Sequence, residues 1–150
     1  MLSISKNQFT AEPSEGLLKQ LTLRLLDKDE FKQADELFER EHYLGPVKRS
    51  GKGLIQVIEY QGRAVALLDW GSAALKLADR DQWIGWNGRQ RADRRDLIIQ
   101  NRRFLLLQAV RMPNLASRCL SMALKAVPLQ WPASSWLQAP AGRNLHRQCV

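Results

Sequence analysis

Two runs of apolar residues, 54–60 and 63–70, dominate the hydrophobic pattern in the middle of the chain. We interpret both as strand-forming runs, and only Gln61 and Gly62 separate them. Runs of this kind around a glycine-containing turn are typical of a β-hairpin. The pattern therefore predicts that the two runs pair antiparallel and place alternate side chains in the core.

The pattern before the hairpin predicts one strand and one helix. Residues 21–25 alternate apolar and polar positions with a period of two, which is typical of a half-buried strand. Asp27 and Glu30 have the spacing of a capping box, and apolar residues then recur at helical spacing. A helix is expected over residues 28–41.

The second half of the chain predicts a helix over 72–77 that continues or restarts at 80–86. A buried turn or helix end is expected at 97–99. A central strand, covered on both faces, is expected at 104–110. Pro113 is expected to open a helix and Pro128 to end it. The apolar positions of this helix form one stripe. They are Leu115, Ala116, Cys119, Leu120, Ala123, Leu124 and Val127.

The order of these elements predicts an α+β fold with a twisted, mostly antiparallel sheet and flanking helices. A chain of 150 residues with 45% hydrophobic residues is long enough for one core. We expect a flexible arm over 1–16, a single domain over 17–131, and a disordered or aberrant tail over 132–150, because the tail has no hydrophobic period.

The chain is basic, with a net charge of +8. A basic surface favours an anionic partner such as nucleic acid or a nucleotide cofactor, although many basic proteins have no such partner. The charge is uneven: from Asp79 to Arg103 there are seven arginines against four aspartates. The guanidinium fork suits phosphate, so Arg89, Arg91, Arg94 and Arg95 are candidate nucleic-acid contacts. The alternative is a solvated face in which the aspartates pair with the arginines.

Several chemistries have no support in the residues. Two cysteines, Cys119 and Cys149, make no disulfide framework and favour a reducing compartment. The chain has no paired His or Cys spacing for zinc, so no metal is expected. No apolar run reaches the length of a membrane span, and residues 1–10 do not read as a signal peptide. We therefore expect a cytoplasmic protein that does not engage the membrane.

Four short blocks, in this order along the chain, carry a resemblance to a known family. They are His42-Tyr43-Leu44-Gly45, Ala78-Asp79-Arg80-Asp81-Gln82-Trp83-Ile84-Gly85-Trp86, Asn101-Arg102-Arg103-Phe104-Leu105-Leu106 and Pro113-Asn114-Leu115-Ala116-Ser117-Arg118. Together they resemble the family of the Druantia anti-phage system protein DruA, a domain of unknown function with relatives fused to transposase domains. The resemblance extends from about Leu21 to Trp131. It implies a role in phage defence or in mobile elements, through nucleic acid or through other proteins of a defence system or transposon.

The resemblance also implies that this chain is shortened. In the family, the helix that follows the Pro-Asn-Leu-Ala-Ser block leads to a tryptophan, another strand and an acidic-aromatic block. Here Trp131 is followed by a segment rich in Pro, Ala, Ser and Gln. We expect a product truncated at its C-terminus.

The predicted element order also resembles the fold of the Gcn5-related N-acetyltransferases (GNAT). Members of that fold bind the pyrophosphate of coenzyme A at a helix N-terminus, where free backbone N–H groups and the helix dipole meet the anion. Arg111 and Ala116 fit the pattern at this junction, whereas Asn114 replaces a glycine and Pro113 removes a donor. These residues are therefore either an anion or cofactor site or a plain helix cap.

The remaining candidates form a polar cluster of His42, Tyr43, Arg80, Asp81 and Arg103. His42 and Tyr43 have the side chains of a general base and a phenolic acid, but a lone histidine at a helix end more often caps that end. Trp83 and Trp86, three residues apart, are expected to be buried on one helical face, with Asp81 beside Arg80 as a local ion pair or a cap. The alternative makes the two indoles the floor of a ligand site.

The sequence thus leaves three functions open. The leading one is a domain similar to the DruA family that needs no cofactor and acts through nucleic acid or a protein partner. The alternatives are an acyl-coenzyme A-dependent N-acyltransferase, with acetyl-coenzyme A as its cofactor, and an inactive truncated fragment. The sequence does not identify a catalytic residue.

Overall fold

The computed structural model describes residues 1–4, 9–10, 15–49, 51–108 and 110–133. Its strands are β1 (Phe9–Thr10), β2 (Leu21–Leu25), β3 (Gly53–Tyr60), β4 (Arg63–Ser72), β5 (Ile99–Leu106) and β6 (Val110–Arg111). Its α-helices are α1 (Glu15–Lys19), α2 (Phe31–Glu41), α3 (Ala78–Ile84), α4 (Gly88–Arg94) and α5 (Leu115–Gln130). The predicted α+β class is confirmed.

A four-stranded antiparallel sheet in the order β2-β3-β4-β5 forms the centre of the fold. The predicted antiparallel pairing is confirmed: β3 and β4 pair around Gln61 and Gly62, whose φ angles are positive at 50° and 73°. The expected burial of alternate side chains was wrong, because both faces of these strands are buried. Two positive φ values mark a type I′ turn, whose twist matches that of the strands. A separate pair, β1 and β6, is parallel.

The strands β3 and β4 are buried along almost their whole length, because helices cover both faces of the sheet. Side chains alternate between faces along a strand. Leu54 and Ile58 accordingly pack in a core with Cys119 and Val127 of α5. The intervening residues of β3, Ile55 and Val57, pack on the opposite face with Leu37 and Phe38 of α2.

The helix predicted over 28–41 is confirmed, with one refinement. A short 3-10 turn, Lys28–Glu30, leads into α2, and the Asp27 N–H donates to Glu30 Oε2 at 3.0 Å as in the predicted capping box. The predicted strand over 21–25 is also confirmed as β2.

The N-terminal residues, which composition assigns to a flexible arm, contact the core. Leu2 is buried, and its backbone N–H and C=O both bond to the side chain of Gln33. The backbone C=O of Ser3 accepts a hydrogen bond from the N–H of Ala64. Residues 5–8 and 11–14 of the arm, and the predicted tail from residue 134 onward, lie outside the described residues.

Three predictions in the second half were wrong. No helix forms over 72–77: Ser72 pairs with β5 as the last residue of β4, and residues 73–77 connect β4 to α3 without regular structure. The predicted central strand begins earlier, at Ile99, and lies at the edge of the four-stranded sheet. The turn at 97–99 is not buried, since Leu97 is 77% exposed.

Helix α5 differs from its prediction at both ends. It begins at Leu115, after Asn114, and it continues past Pro128 to Gln130. Pro128 lies in the last turn, where its missing N–H leaves the C=O of Leu124 without the usual helical donor, and the helix runs only two residues beyond it. The apolar stripe is also narrower than predicted: residues 115, 119, 123 and 127 are buried, whereas 116, 120 and 124 are exposed.

Candidate nucleic-acid interface

Residues 78–97, which we call the arginine-rich helical segment, form two short helices and a 3-10 turn between β4 and β5. Gly85 ends α3 in a left-handed conformation with a φ of 78°. Asn87 then caps α4, because its Oδ1 accepts from the Gln90 N–H at 2.9 Å while Gln90 Oε1 accepts from the Asn87 N–H at 3.0 Å. The sequence thus encodes a sharp change of direction between the two helices.

Asp81 holds this segment together. Its Oδ1 accepts from Arg80 Nη2 at 2.6 Å, and its Oδ2 accepts from Arg91 Nη1 at 3.1 Å. Because Arg80 lies on α3 and Arg91 on α4, one buried carboxylate joins both helices. The predicted Arg80–Asp81 ion pair is present, and the link to Arg91 was not predicted.

The electrostatics of Asp81 favour its charged form. Burial raises the pKa of a carboxyl group, but the hydrogen bonds from Arg80 and Arg91 outweigh this effect and leave the pKa of Asp81 below its ordinary value. The buried residue of α3 is this carboxylate, and α4 has no buried residue. Charge contacts rather than an apolar stripe therefore organise the segment.

The predicted burial of the two tryptophans was wrong for Trp83, whose side chain is 88% exposed. Trp86 is partly buried. Gly85 ends α3 between them, so they do not share a helical face as the spacing of three had suggested. The structure places one large aromatic surface in solvent within the arginine-rich helical segment.

The four predicted nucleic-acid contacts have different environments. Arg89 and Arg94 are exposed on α4. Arg91 is engaged with Asp81, and Arg95 is partly buried with an Nε atom that has no hydrogen-bond partner among the described residues. Arg89 and Arg94 are consequently the members of this group best placed to contact a phosphate.

The other half of the predicted polar cluster lies at the end of α2. The rings of His42 and Tyr43 stack with their centroids 4.9 Å apart, and Tyr43 is 89% exposed. Arg103 Nε donates to the C=O of Gly45 at 2.8 Å, so Arg103 braces the same loop. Contacts thus join His42, Tyr43 and Arg103 around this loop, while Arg80 and Asp81 form the separate set described above.

The geometry of His42 bears on its predicted role as a base. Burial and, secondly, the charge of Arg103 lower the pKa of His42, which favours the neutral ring. Its Nδ1 accepts from the Leu44 N–H at 3.2 Å, so the proton of the neutral ring is on Nε2. The lone pair that a general base needs is therefore engaged with the backbone.

The predicted anion junction has Arg111 at the end of β6 and Asn114 just before α5. Arg111, Asn114 and Ala116 are all exposed. Asn114 is left-handed with a φ of 60° and makes no side-chain cap, and the Leu115 N–H bonds to the C=O of Met112 at 3.2 Å. The junction is a tight turn that uses one of its own N–H groups.

A buried charge network on the α2 face of the sheet was missed from the sequence. Asp69 on β4 is fully buried, and its Oδ1 accepts from Arg102 Nε on β5 at 2.8 Å. Arg49 Nε lies 3.7 Å from Asp69 Oδ2, and Arg49 also bonds to Asp35 on α2. Burial raises the pKa of Asp69, while Arg102 and Arg49 oppose that shift.

Gly71 makes room for this network. A Cβ atom at residue 71 would lie 2.5 Å from Arg102 Cζ, which is closer than real contacts allow. The Arg102 guanidinium therefore lies directly against the backbone of β4, where its Nη2 also donates to the C=O of Trp70 at 3.1 Å. The sequence carried one signal of this network: Asp69 lies inside the apolar run 64–70, and Gly71 follows that run directly.

Two further findings concern metal ligands and membrane-spanning helices among the described residues. No group of three or more His, Cys, Asp or Glu side chains in the described ranges is arranged to hold a metal ion. Within the same ranges, no helix combines the length and the apolar character that crossing a membrane requires.

The fold and this segment define an α+β protein with a meander sheet and an arginine-rich helical insertion before its last long strand. The family model described as Druantia protein DruA matches residues 5–137, so the chain belongs to that family. The matched region begins before and ends after the span of 21–131 that the short blocks had indicated. No curated protein matches the chain. No solved structure matches it either, so the likeness to the acetyltransferase fold stays a prediction.

Proposed function

We propose that this Druantia-family domain binds nucleic acid in phage defence, with the arginine-rich helical segment as its contact surface. The exposure of Arg89 and Arg94 on α4 supports this function most directly. Buried or paired arginines stabilise a protein, whereas exposed guanidinium groups are available to phosphates.

The division of labour among the arginines strengthens the argument. Arg80 and Arg91 neutralise Asp81, and Arg102 serves Asp69, so these three hold the fold. Arg89 and Arg94 have no structural task of that kind among the described contacts. A net charge of +8 on the whole chain adds a long-range attraction for a polyanion.

A salt titration of oligonucleotide binding tests the proposal. Each phosphate neutralised by a cation contributes a slope of about 0.7 on single strands and about 0.9 on duplex DNA to the dependence of log K on log salt. Changing Arg89 and Arg94 together to Ala should flatten that slope by about that amount for each lost contact. Arg91 is left in place because its removal would disturb Asp81.

The matched control removes the same charge elsewhere. Lys32 on α2 and Arg63 on β4 are exposed, and the double variant Lys32→Ala, Arg63→Ala lowers the net charge equally. We expect a smaller loss of affinity and a nearly unchanged slope for this control. Absence of binding at low salt, or equal slopes for the two double variants, would contradict the proposal.

The defence role has a cellular test. A strain that carries the Druantia system with this chain should lose protection against phage when Arg89 and Arg94 are both Ala, and should keep it with the Lys32 and Arg63 control. Equal protection by both variants would show that defence does not depend on Arg89 and Arg94.

A further inference from the structure

The side chain of Trp83 is the feature of the arginine-rich helical segment that phosphate binding does not explain. It is 88% exposed, although an indole is among the largest apolar groups that a protein can bury. The helix that carries it is tied to α4, because Asp81 on α3 accepts a hydrogen bond from Arg91 on α4. The indole is therefore a flat aromatic surface presented on an ordered helix.

The charge around this surface indicates what covers it. The stretch from Asp79 to Arg103 has an excess of three positive charges, and α4 follows Trp83 after a turn of only a few residues. An aromatic surface within a basic segment has the composition of a nucleotide platform, where a base stacks on the ring and arginines contact the backbone.

The nature of the nucleic acid follows from the stacking. In a duplex, neighbouring base pairs cover the faces of the bases, whereas a single strand leaves those faces open to an aromatic side chain. The geometry points to single-stranded nucleic acid as the ligand, with one base stacked on Trp83 and with Arg89 and Arg94 on the adjoining phosphates. This inference rests on the proposed nucleic-acid function.

Oligonucleotides of one sequence, roughly 15 nucleotides long, test it as a single strand and as a blunt duplex with the intact chain. We expect the single strand to bind more tightly at equal salt. Stacking is worth about 1–3 kcal/mol per base, so Trp83→Ala should weaken single-strand binding roughly 5- to 150-fold. Trp83→Phe should restore a large part of the affinity, because phenylalanine keeps a stacking face.

Tyr43→Ala is the matched control, since Tyr43 is an equally exposed aromatic residue on the loop after α2. It should leave single-strand affinity nearly unchanged. Circular dichroism of all variants should match the parent, because both side chains lie in solvent.

Two results would overturn the inference. If the duplex binds as tightly as the single strand and Trp83→Ala changes neither affinity, the chain binds nucleic acid without stacking on Trp83, and the proposed function stands alone. If neither oligonucleotide binds at low salt, the proposed function and this inference both fail.

Discussion

Individual charged residues in the interior do much to shape this molecule. The pairing of Arg80 with Asp81 follows from their adjacency and was predicted from the sequence. The pairing of Asp69 with Arg102 was not, because 33 residues separate them and only the β4–β5 register brings them together. Contacts of this kind depend on the sheet, so a single sequence gives at most the hint of a charge inside an apolar run.

The network around Asp69 leads to a prediction about stability. Asp69→Asn keeps the shape of the side chain but removes the counter-charge of Arg102 and Arg49. Breaking a buried ion pair from one side costs about 3 kcal/mol, because the partner charge stays buried. Urea unfolding should show a loss of this order.

Asp79→Asn is the control for this measurement, since Asp79 is exposed on α3. Its effect should stay within about 0.5 kcal/mol. A loss below about 1 kcal/mol for Asp69→Asn would mean that the network contributes little to folding.

Glu30 makes stability depend on pH. Its side chain bonds to Arg24 at 2.7 Å, and this contact, opposed by burial and helped by the Asp27 N–H, lowers the pKa of Glu30 to about 2. The ordinary value is 4.5, so between the two values the unfolded chain binds more protons than the folded one. The free energy of unfolding should therefore fall as the pH drops from about 4.5 toward 2.

Glu30→Gln should lose stability at neutral pH and should show a weaker pH dependence in that acidic window. Urea unfolding at neutral pH and near pH 3 compares the two chains. Parallel pH curves for the parent and the variant would show that other carboxylates carry the effect.

Among the elements, the β3–β4 hairpin was predictable because its signal is local. The two runs and the two-residue turn with Gly62 lie next to each other in sequence. The segment 72–97 was harder. Ser72 belongs to β4 only because β5 pairs with it, and the exposure of Trp83 depends on where Gly85 ends α3.

The hairpin turn carries a strained residue. Gln61 has a φ of 50°, which is a left-handed backbone conformation. For residues other than Gly, Asn and Asp this conformation costs about 1 kcal/mol of free energy. Gln61→Asn should therefore raise the free energy of unfolding by about 0.5 kcal/mol, since Asn-Gly is a favoured type I′ pair. Gly62→Ala should lower it, because residue 62 has a φ of 73°. Thermal unfolding checks both, and a destabilised Gln61→Asn would argue that the bond from Gln61 Nε2 to Tyr60 Oη matters more than the backbone.

At the scale of the whole molecule, one sheet serves two cores and a polar link fixes the last helix to it. Gln56, fully buried on β3, accepts from Trp70 Nε1 at 2.8 Å and donates to Gln130 Oε1 at 2.7 Å. The order of elements was enough to predict the α+β class. It did not specify the position of β5 at the sheet edge, which depends on pairing between distant strands.

The N-terminus of α5 bears on the choice between a binding protein and an acyltransferase. A coenzyme A site at its N-terminus needs free N–H groups and close approach of the pyrophosphate. Pro113 has no N–H, the Leu115 N–H is bonded to Met112, and Asn114 places a side chain at the turn.

We therefore expect calorimetric titration of the chain with acetyl-coenzyme A to show no heat beyond dilution up to millimolar ligand, a limit of about 4 kcal/mol in binding free energy. Ala116→Trp serves as the blocking variant, since Ala116 is exposed and, unlike residue 114, has helical backbone angles that tryptophan can adopt. A micromolar dissociation constant that Ala116→Trp abolishes, without changing the unfolding curve, would make the acyltransferase the better account of this fold.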